Sequence, residues 1–152
     1  MTTKASPLAS LRSASGAVAV EFALVLPIFL LLLLGMFDFG KVFNYWIDGT
    51  HLSHEGARYA AVGKNPGPGG TLAESIKARA DTGELEDAMT VCVSYPDGSP
   101  PEVGDPVQVS VTFDYVFLDY ITSMTDLTNV NVTNTSTMRL ERTPAAPATC
   151  AS

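Results

Sequence analysis

With 152 residues, 16 acidic against 9 basic side chains and a net charge of −7, the chain has room for one folded domain and an appendage. Its lysines and arginines form no cluster that would displace counterions from phosphates, which excludes nucleic-acid binding. Two cysteines, Cys92 and Cys150, are too few for a structural zinc site and are the right number for one disulfide in an exported domain.

The mean hydropathy of +0.19 comes largely from one N-terminal block. Phe22 to Phe37, FALVLPIFLLLLLGMF, carries no charge, and Ala17 to Val20 extends it across the single interruption of Glu21. Together they approach the roughly 20 apolar residues that cross a bilayer as a helix. Lys4 and Arg12 precede the block without an acid, and carboxylates dominate after it, so the N-terminus is expected in the cytoplasm and the acidic domain outside. A secretory signal peptide shares this plan, but GMFDFGKVFNYW, which follows the apolar core, offers no small-x-small cleavage site. The block is therefore expected to be retained. Pro27 lies inside it and cannot donate to the carbonyl of Ala23, so a mild bend is expected there.

Glu21 is the informative residue. A carboxylate in a spanning helix costs about 2.5–3.5 kcal/mol at the bilayer centre on insertion scales, so such a group generally has a partner and a role. The plainer reading is an interfacial residue at the membrane edge. The sharper one depends on Gly16. A cut between Gly16 and Ala17 would place a new α-amine four residues before Glu21, one helical turn away on the same face. An ammonium with a pKa of about 8 would then offset the buried carboxylate, within one subunit or between neighbours.

Gly16 followed by Ala17, Val18, Ala19, Val20, Glu21 and Phe22 resembles the type IV prepilin signature, a glycine cleavage site with glutamate at the fifth mature position. The run from Gly16 to Pro27, then Asp38-Phe39-Gly40, then Glu55-Gly56-Ala57-Arg58-Tyr59-Ala60 is similar, in that order, to the TadE-like pseudopilins of the tight-adherence (Flp) pilus system. The resemblance covers the chain as far as about residue 62. It implies a minor pilin or pseudopilin cleaved by a prepilin peptidase. Gly16 is then the cleavage site, Ala17 the mature N-terminus, and Glu21 with Phe22 the assembly determinant. It further implies other pilin or pseudopilin subunits and the inner-membrane pilus assembly machinery as partners. The location implied is a single pass through a bacterial inner membrane, followed by the cell surface or pilus. Glu55, Arg58 and Tyr59 become candidates for subunit contacts. Alanine at the first mature position departs from the phenylalanine of type IVa pilins and general-secretion pseudopilins, and the chain is longer than a major Flp pilin.

The expected organisation is a leader at 1–16, a transmembrane and assembly helix at 17–40, an extracytoplasmic continuation of that helix at 41–62, and an extracytoplasmic α+β domain at 63–152. Phe43, Trp46, Ile47, Thr50, Ala57 and Ala61 recur at roughly helical spacing and are expected to pack on the domain. Pro66-Gly67-Pro68-Gly69-Gly70 ends the helix, and Thr71 with Glu74 forms a capping box for a short helix to about Ala80. Strands are expected at Met89–Tyr95, at Val107–Phe117 by strict alternation, and at Leu127–Leu140 with Val130, Val132, Met138 and Leu140 on one face. The fold class is therefore α+β and pilin-like, a long N-terminal transmembrane helix packed on a small antiparallel sheet of about three strands. Cys92 and Cys150 are the expected disulfide.

No catalytic constellation accompanies these elements. Asp38-Phe39-Gly40 spells a kinase triplet without its companion loops, no Gly-Lys-Ser/Thr follows the glycines, and the carboxylates show no pairing. His51, His54 and Glu55 share a helix face but lack a further well-spaced ligand, so solvated surface residues are expected rather than a metal site. No cofactor and no enzymatic activity are expected. Glu55 and Arg58 fit an ion pair three residues apart. Asn131 and Asn134 match glycosylation sequons but fall in a strand. The alternative to a processed pilin is an uncleaved, single-span, membrane-anchored extracytoplasmic binding module.

Overall fold

The computed structural model describes residues 7–65, 67, 70–98, 100–117, 129–144 and 147–152. Lys4, Pro66, Pro68, Gly69 and the start of the third expected strand at 127–128 lie outside the described residues. The chain divides into two compact units, Met1–Phe39 and Gly40–Ser152. The elements run α1 (Pro7–Ala61), α2 (Leu72–Lys77), α3 (Gly83–Ala88), β1 (Met89–Ser94), β2 (Pro106–Val116), β3 (Asn129–Arg139) and β4 (Thr149–Ala151).

In the N-terminal unit the helix includes Pro27 and leaves its large side chains open. Phe22, Leu24, Val25, Ile28, Phe29 and Leu32 are all more than half exposed. Apolar side chains bare on every side suit lipid or other helices rather than water. The helix is long and apolar enough to span a membrane.

The second unit is one antiparallel sheet in the order β3-β2-β1-β4 with the C-terminal part of α1 laid on one face. Alternation assigns the faces. Met89, Val91, Val93, Val107, Val109, Val111, Phe113 and Tyr115 are buried, whereas Ser110, Thr112, Asp114, Asn131 and Thr133 take the opposite face. β1 pairs with β2 from Met89↔Phe113 to Ser94↔Gln108, and β2 with β3 from Pro106↔Arg139 to Val116↔Asn129. The fold class is α+β as expected, with one more strand than the sequence suggested. β4 has three residues, too few to show alternation, and pairs with β1 at Val91↔Ala151, Cys92↔Cys150 and Val93↔Thr149.

α2 begins at the expected capping box. Thr71 N donates to Glu74 Oε2 at 2.8 Å, and Glu74 N donates to Thr71 Oγ1 at 3.2 Å. The helix stops at Lys77, and tighter turns carry the chain to Ala80. α3 was not foreseen: Thr82 caps it by accepting from Leu85 N, and Leu85 alone of its residues is buried.

The expected packing face of α1 needs correction. Ala57 and Ala61 are buried, but Phe43, Trp46 and Ile47 are 51%, 48% and 43% exposed. Tyr45, Asp48, Gly49, Leu52, Ser53, Gly56 and Ala60 take the sheet side instead. The reason is the closeness of the helix. A Cβ on Gly49 would lie 2.6 Å from Asn134 Nδ2, and one on Gly56 would lie 2.6 Å from Ile76 Cδ1. Small residues fit there and large ones do not. Tyr45 completes the contact with its ring edge-on to Phe113 and Tyr115, at 5.7 and 5.8 Å between centroids.

Two inward-facing polar residues of β3 meet polar groups of α1. Ser136 Oγ lies 3.0 Å from His54 Nδ1, and Thr50 Oγ1 lies 3.0 Å from Asn134 Oδ1 and 2.7 Å from the Trp46 carbonyl. One hydroxyl proton cannot serve both oxygens. With the Asn134 amide turned over, Nδ2 donates to Thr50 Oγ1, whose proton goes to Trp46, and the otherwise unpaired buried Nδ2 is satisfied.

Cys92 and Cys150 are joined, with their Cα atoms 4.1 Å apart and a sequence separation of 58. They are direct cross-strand partners on the face away from α1, so the bridge ties the short β4 to the sheet. Replacing both by serine should lower unfolding stability by about 2–5 kcal/mol, read from thermal unfolding of the full chain in detergent. An unchanged transition would mean that β4 holds without the bridge.

Candidate functional site

Two groups of residues were singled out by the sequence, one in each unit. In the N-terminal unit, Gly16, Ala17, Glu21 and Phe22 are exposed helical residues, and a Cβ on Gly16 would meet nothing within 4 Å. The rise from Ala17 to Glu21 is about 6 Å at 1.5 Å per residue. Glu21 makes no ion pair or hydrogen bond among the described residues. It is a lone carboxylate on a helix whose neighbours Val18, Val20, Phe22, Leu24 and Val25 are at least 60% exposed. To lie charged among hydrocarbon or packed helices, such a group needs a cationic partner.

In the second unit, Glu55, Gly56, Ala57, Arg58, Tyr59 and Ala60 occupy two turns of α1. The expected pair between Glu55 and Arg58 does not form. Glu55 Oε1 instead accepts from Arg79 Nη1, just past α2, and the Arg79 guanidinium lies 5.6 Å from the centre of the Tyr59 ring. Arg58, three residues along a helix that turns its side chain outward, has no reach toward α2; it is exposed and makes no ion pair among the described residues. Gly56, Ala57 and Ala60 are buried beneath this clamp. The stretch thus docks α1 against α2 and β2, and Arg58 is its outward member.

Arg79 and the structural role of Gly56 escaped sequence reasoning. A glycine inside a helix costs about 1 kcal/mol against alanine, so Gly56 was itself a signal of close packing. Arg79 gave no local signal, since it meets Glu55 from 24 residues away.

Electrostatics elsewhere on this unit are modest. Lys41 Nζ and Glu84 Oε1 pair at 2.9 Å, and this hydrogen bond holds the lysine pKa up and the glutamate pKa down. Both ends are well exposed, so solvent screens the pair. Asp48 is buried, and the loss of solvent pushes its pKa up, against the hydrogen bond that its Oδ2 accepts from Asp81 N at 3.1 Å. His54 is engaged by Ser136 and His51 is exposed. A cavity of about 390 Å³ opens beside the end of α1, walled by Tyr59, Leu72, Val93, Tyr95, Pro144 and Pro147 among others.

The glutamate-bearing helix and the EGARYA stretch together bound one segment of the chain. Residues 16–58 match the TadE-like protein family. The matched segment begins at Gly16 and ends at Arg58, so it takes in Glu21, the apolar helix and most of the docking stretch. No curated protein and no solved structure matches. The TadE-like segment therefore ends within α1, and the sheet lies beyond it.

If the glycine of the TadE-like segment serves helix docking, Gly56→Val should overpack the contact with Ile76 and Val109 and cost about 1–3 kcal/mol. Gly40→Ala, where a Cβ meets nothing within 4 Å, should be neutral or slightly stabilising. Equal stability of the two variants in thermal unfolding would remove the packing account of Gly56.

Proposed function

We propose that this chain is a minor pilin or pseudopilin of a tight-adherence (Flp) pilus system. A prepilin peptidase removes its leader after Gly16, and the mature helix beginning at Ala17 enters a bundle with other pilin subunits. The chain starts in the inner membrane with its sheet domain outside and passes to the pilus or cell surface through the inner-membrane assembly machinery. The observation that carries this reading is Glu21, a carboxylate on a bare apolar helix with no partner among the described residues. A simple anchor has no use for it. A new α-amine one turn earlier, on the same chain or a neighbour, supplies the cation that it lacks.

The match of residues 16–58 to TadE-like proteins supports the pilus assignment. Leader removal takes away Lys4 and Arg12 and leaves a strongly acidic chain, which suits solubility outside the cell. Arg58 is the outward residue of the TadE-like segment best placed for a subunit contact, since Glu55 and Tyr59 are engaged by Arg79.

The alternative, an uncleaved membrane-tethered binding module, has the cavity beside Tyr59 and Tyr95 in its favour. Glu21→Leu, beside the unaltered chain, separates the two. In the pilin reading this variant still inserts into membranes but fails to enter pili, with its amount in sheared surface fractions falling at least tenfold. Wild-type recovery of the variant would count against a role for Glu21 in assembly, and absence of the unaltered chain itself from those fractions, with both forms held in the membrane, would favour the tethered module.

A further inference from the structure

Phe43, Trp46 and Ile47 form an apolar surface on α1 that faces away from the sheet. Phe43 and Trp46 associate through their rings, with centroids 5.9 Å apart. Three of the polar and aromatic neighbours along this stretch are occupied elsewhere. Tyr45 and Asp48 are buried in the domain, and Lys41 reaches Glu84. The patch is therefore aromatic, uncharged and open, whereas the other exposed large apolar residues of the domain, Val103, Val116 and Val130, are single valines.

Its position on the helix suggests what covers it. Counting from Gly40, where the apolar segment gives way, Phe43, Trp46 and Ile47 lie about 4.5, 9 and 10.5 Å further along the axis. The polar layer on each side of a bilayer is about 5–8 Å thick, and helix side chains lean toward the N-terminus, so the Phe43 ring falls within the layer and the Trp46 ring reaches its outer part. Tryptophan collects at this level because its ring is apolar while its N–H needs an acceptor. Among the described residues the Trp46 indole makes no hydrogen bond.

We propose that Phe43, Trp46 and Ile47 are an interfacial anchor that beds this face of α1 into the head-group layer of the bilayer that the apolar segment crosses. The proposal rests on that segment spanning a membrane. Lipid phosphate and head-group oxygens accept from the indole, while the Phe43 ring leans back toward the acyl chains and Ile47 covers the indole at the outer edge of the layer. The anchor sets how deep α1 sits and holds the sheet domain at the membrane surface before assembly.

Trp46 is the sole tryptophan of the chain, so its fluorescence reports this face directly. The full chain is reconstituted into phosphatidylcholine vesicles, flotation is checked, and emission is recorded with lipids spin-labelled near the head group or deep in the acyl chain. The expected result is blue-shifted emission, stronger quenching by the shallow label than by the deep one, and poor quenching by aqueous iodide. The variant Phe43→Asn/Ile47→Asn should still float but lose the shallow quenching. Water-like emission with free access to iodide overturns the proposal, and so does blue-shifted emission that no lipid label quenches, which would mean that another helix covers the face. Failure to float is a separate outcome: it overturns the spanning reading, and the anchor with it.

Discussion

The close seating of α1 on the sheet is the constraint on which the domain depends. Gly49 and Gly56 stand where a methyl group would run into Asn134, Ile76 or Val109, and Ser53, Ala57 and Ala60 fill the space between them. With no bulk on that side, the helix reaches the row of valines in β1 and β2 and buries them completely. Tyr45 and Leu52 supply the volume that the small residues do not. The ion pair of Glu55 with Arg79, the ring of Tyr59 beneath the guanidinium, and the short α2 all follow from that approach.

The same constraint accounts for what the sequence revealed and what it hid. β2 was legible because Val107, Val109, Val111, Phe113 and Tyr115 alternate without exception on a half-buried strand, and α2 because Thr71 and Glu74 cap it reciprocally. β4 was not, since three residues after a proline-rich run carry no period, and only pairing with β1 defines them. α3 begins with a glycine and buries one residue, so neither propensity nor pattern marked it. The packing face of α1 was misplaced because apolar bulk at Phe43, Trp46 and Ile47 suggested burial, whereas a tight helix-sheet contact selects for smallness. That Ala17 and Glu21 share one helix face was legible from spacing, because one turn of helix relates them, whereas their roles come from the resemblance to TadE-like pseudopilins and belong to the proposal. The capture of Glu55 and Tyr59 by Arg79 is a tertiary event with no local trace.

The two units carry opposite surface chemistry. The sheet domain presents polar side chains such as Thr112, Asp114, Asn131 and Thr133 on its outer face, with Asn131 Nδ2 donating to Asp114 at 2.8 Å. From Ala17 to Phe37 the N-terminal unit presents hydrocarbon on all sides, broken by Glu21. In the proposed pilin, that carboxylate makes leader removal more than a trimming step. Cleavage creates the one cation that lies a helical turn from it, and the bare apolar helix becomes electrostatically complete only then.

The central claim is therefore about where the mature chain begins. Intact mass and N-terminal sequence, taken on the protein from native cell membranes, test it directly. The account predicts a chain that starts at Ala17. A chain that starts at Met1 or Thr2, in cells whose prepilin peptidase is active, would contradict it and leave a tethered domain with an unexplained glutamate.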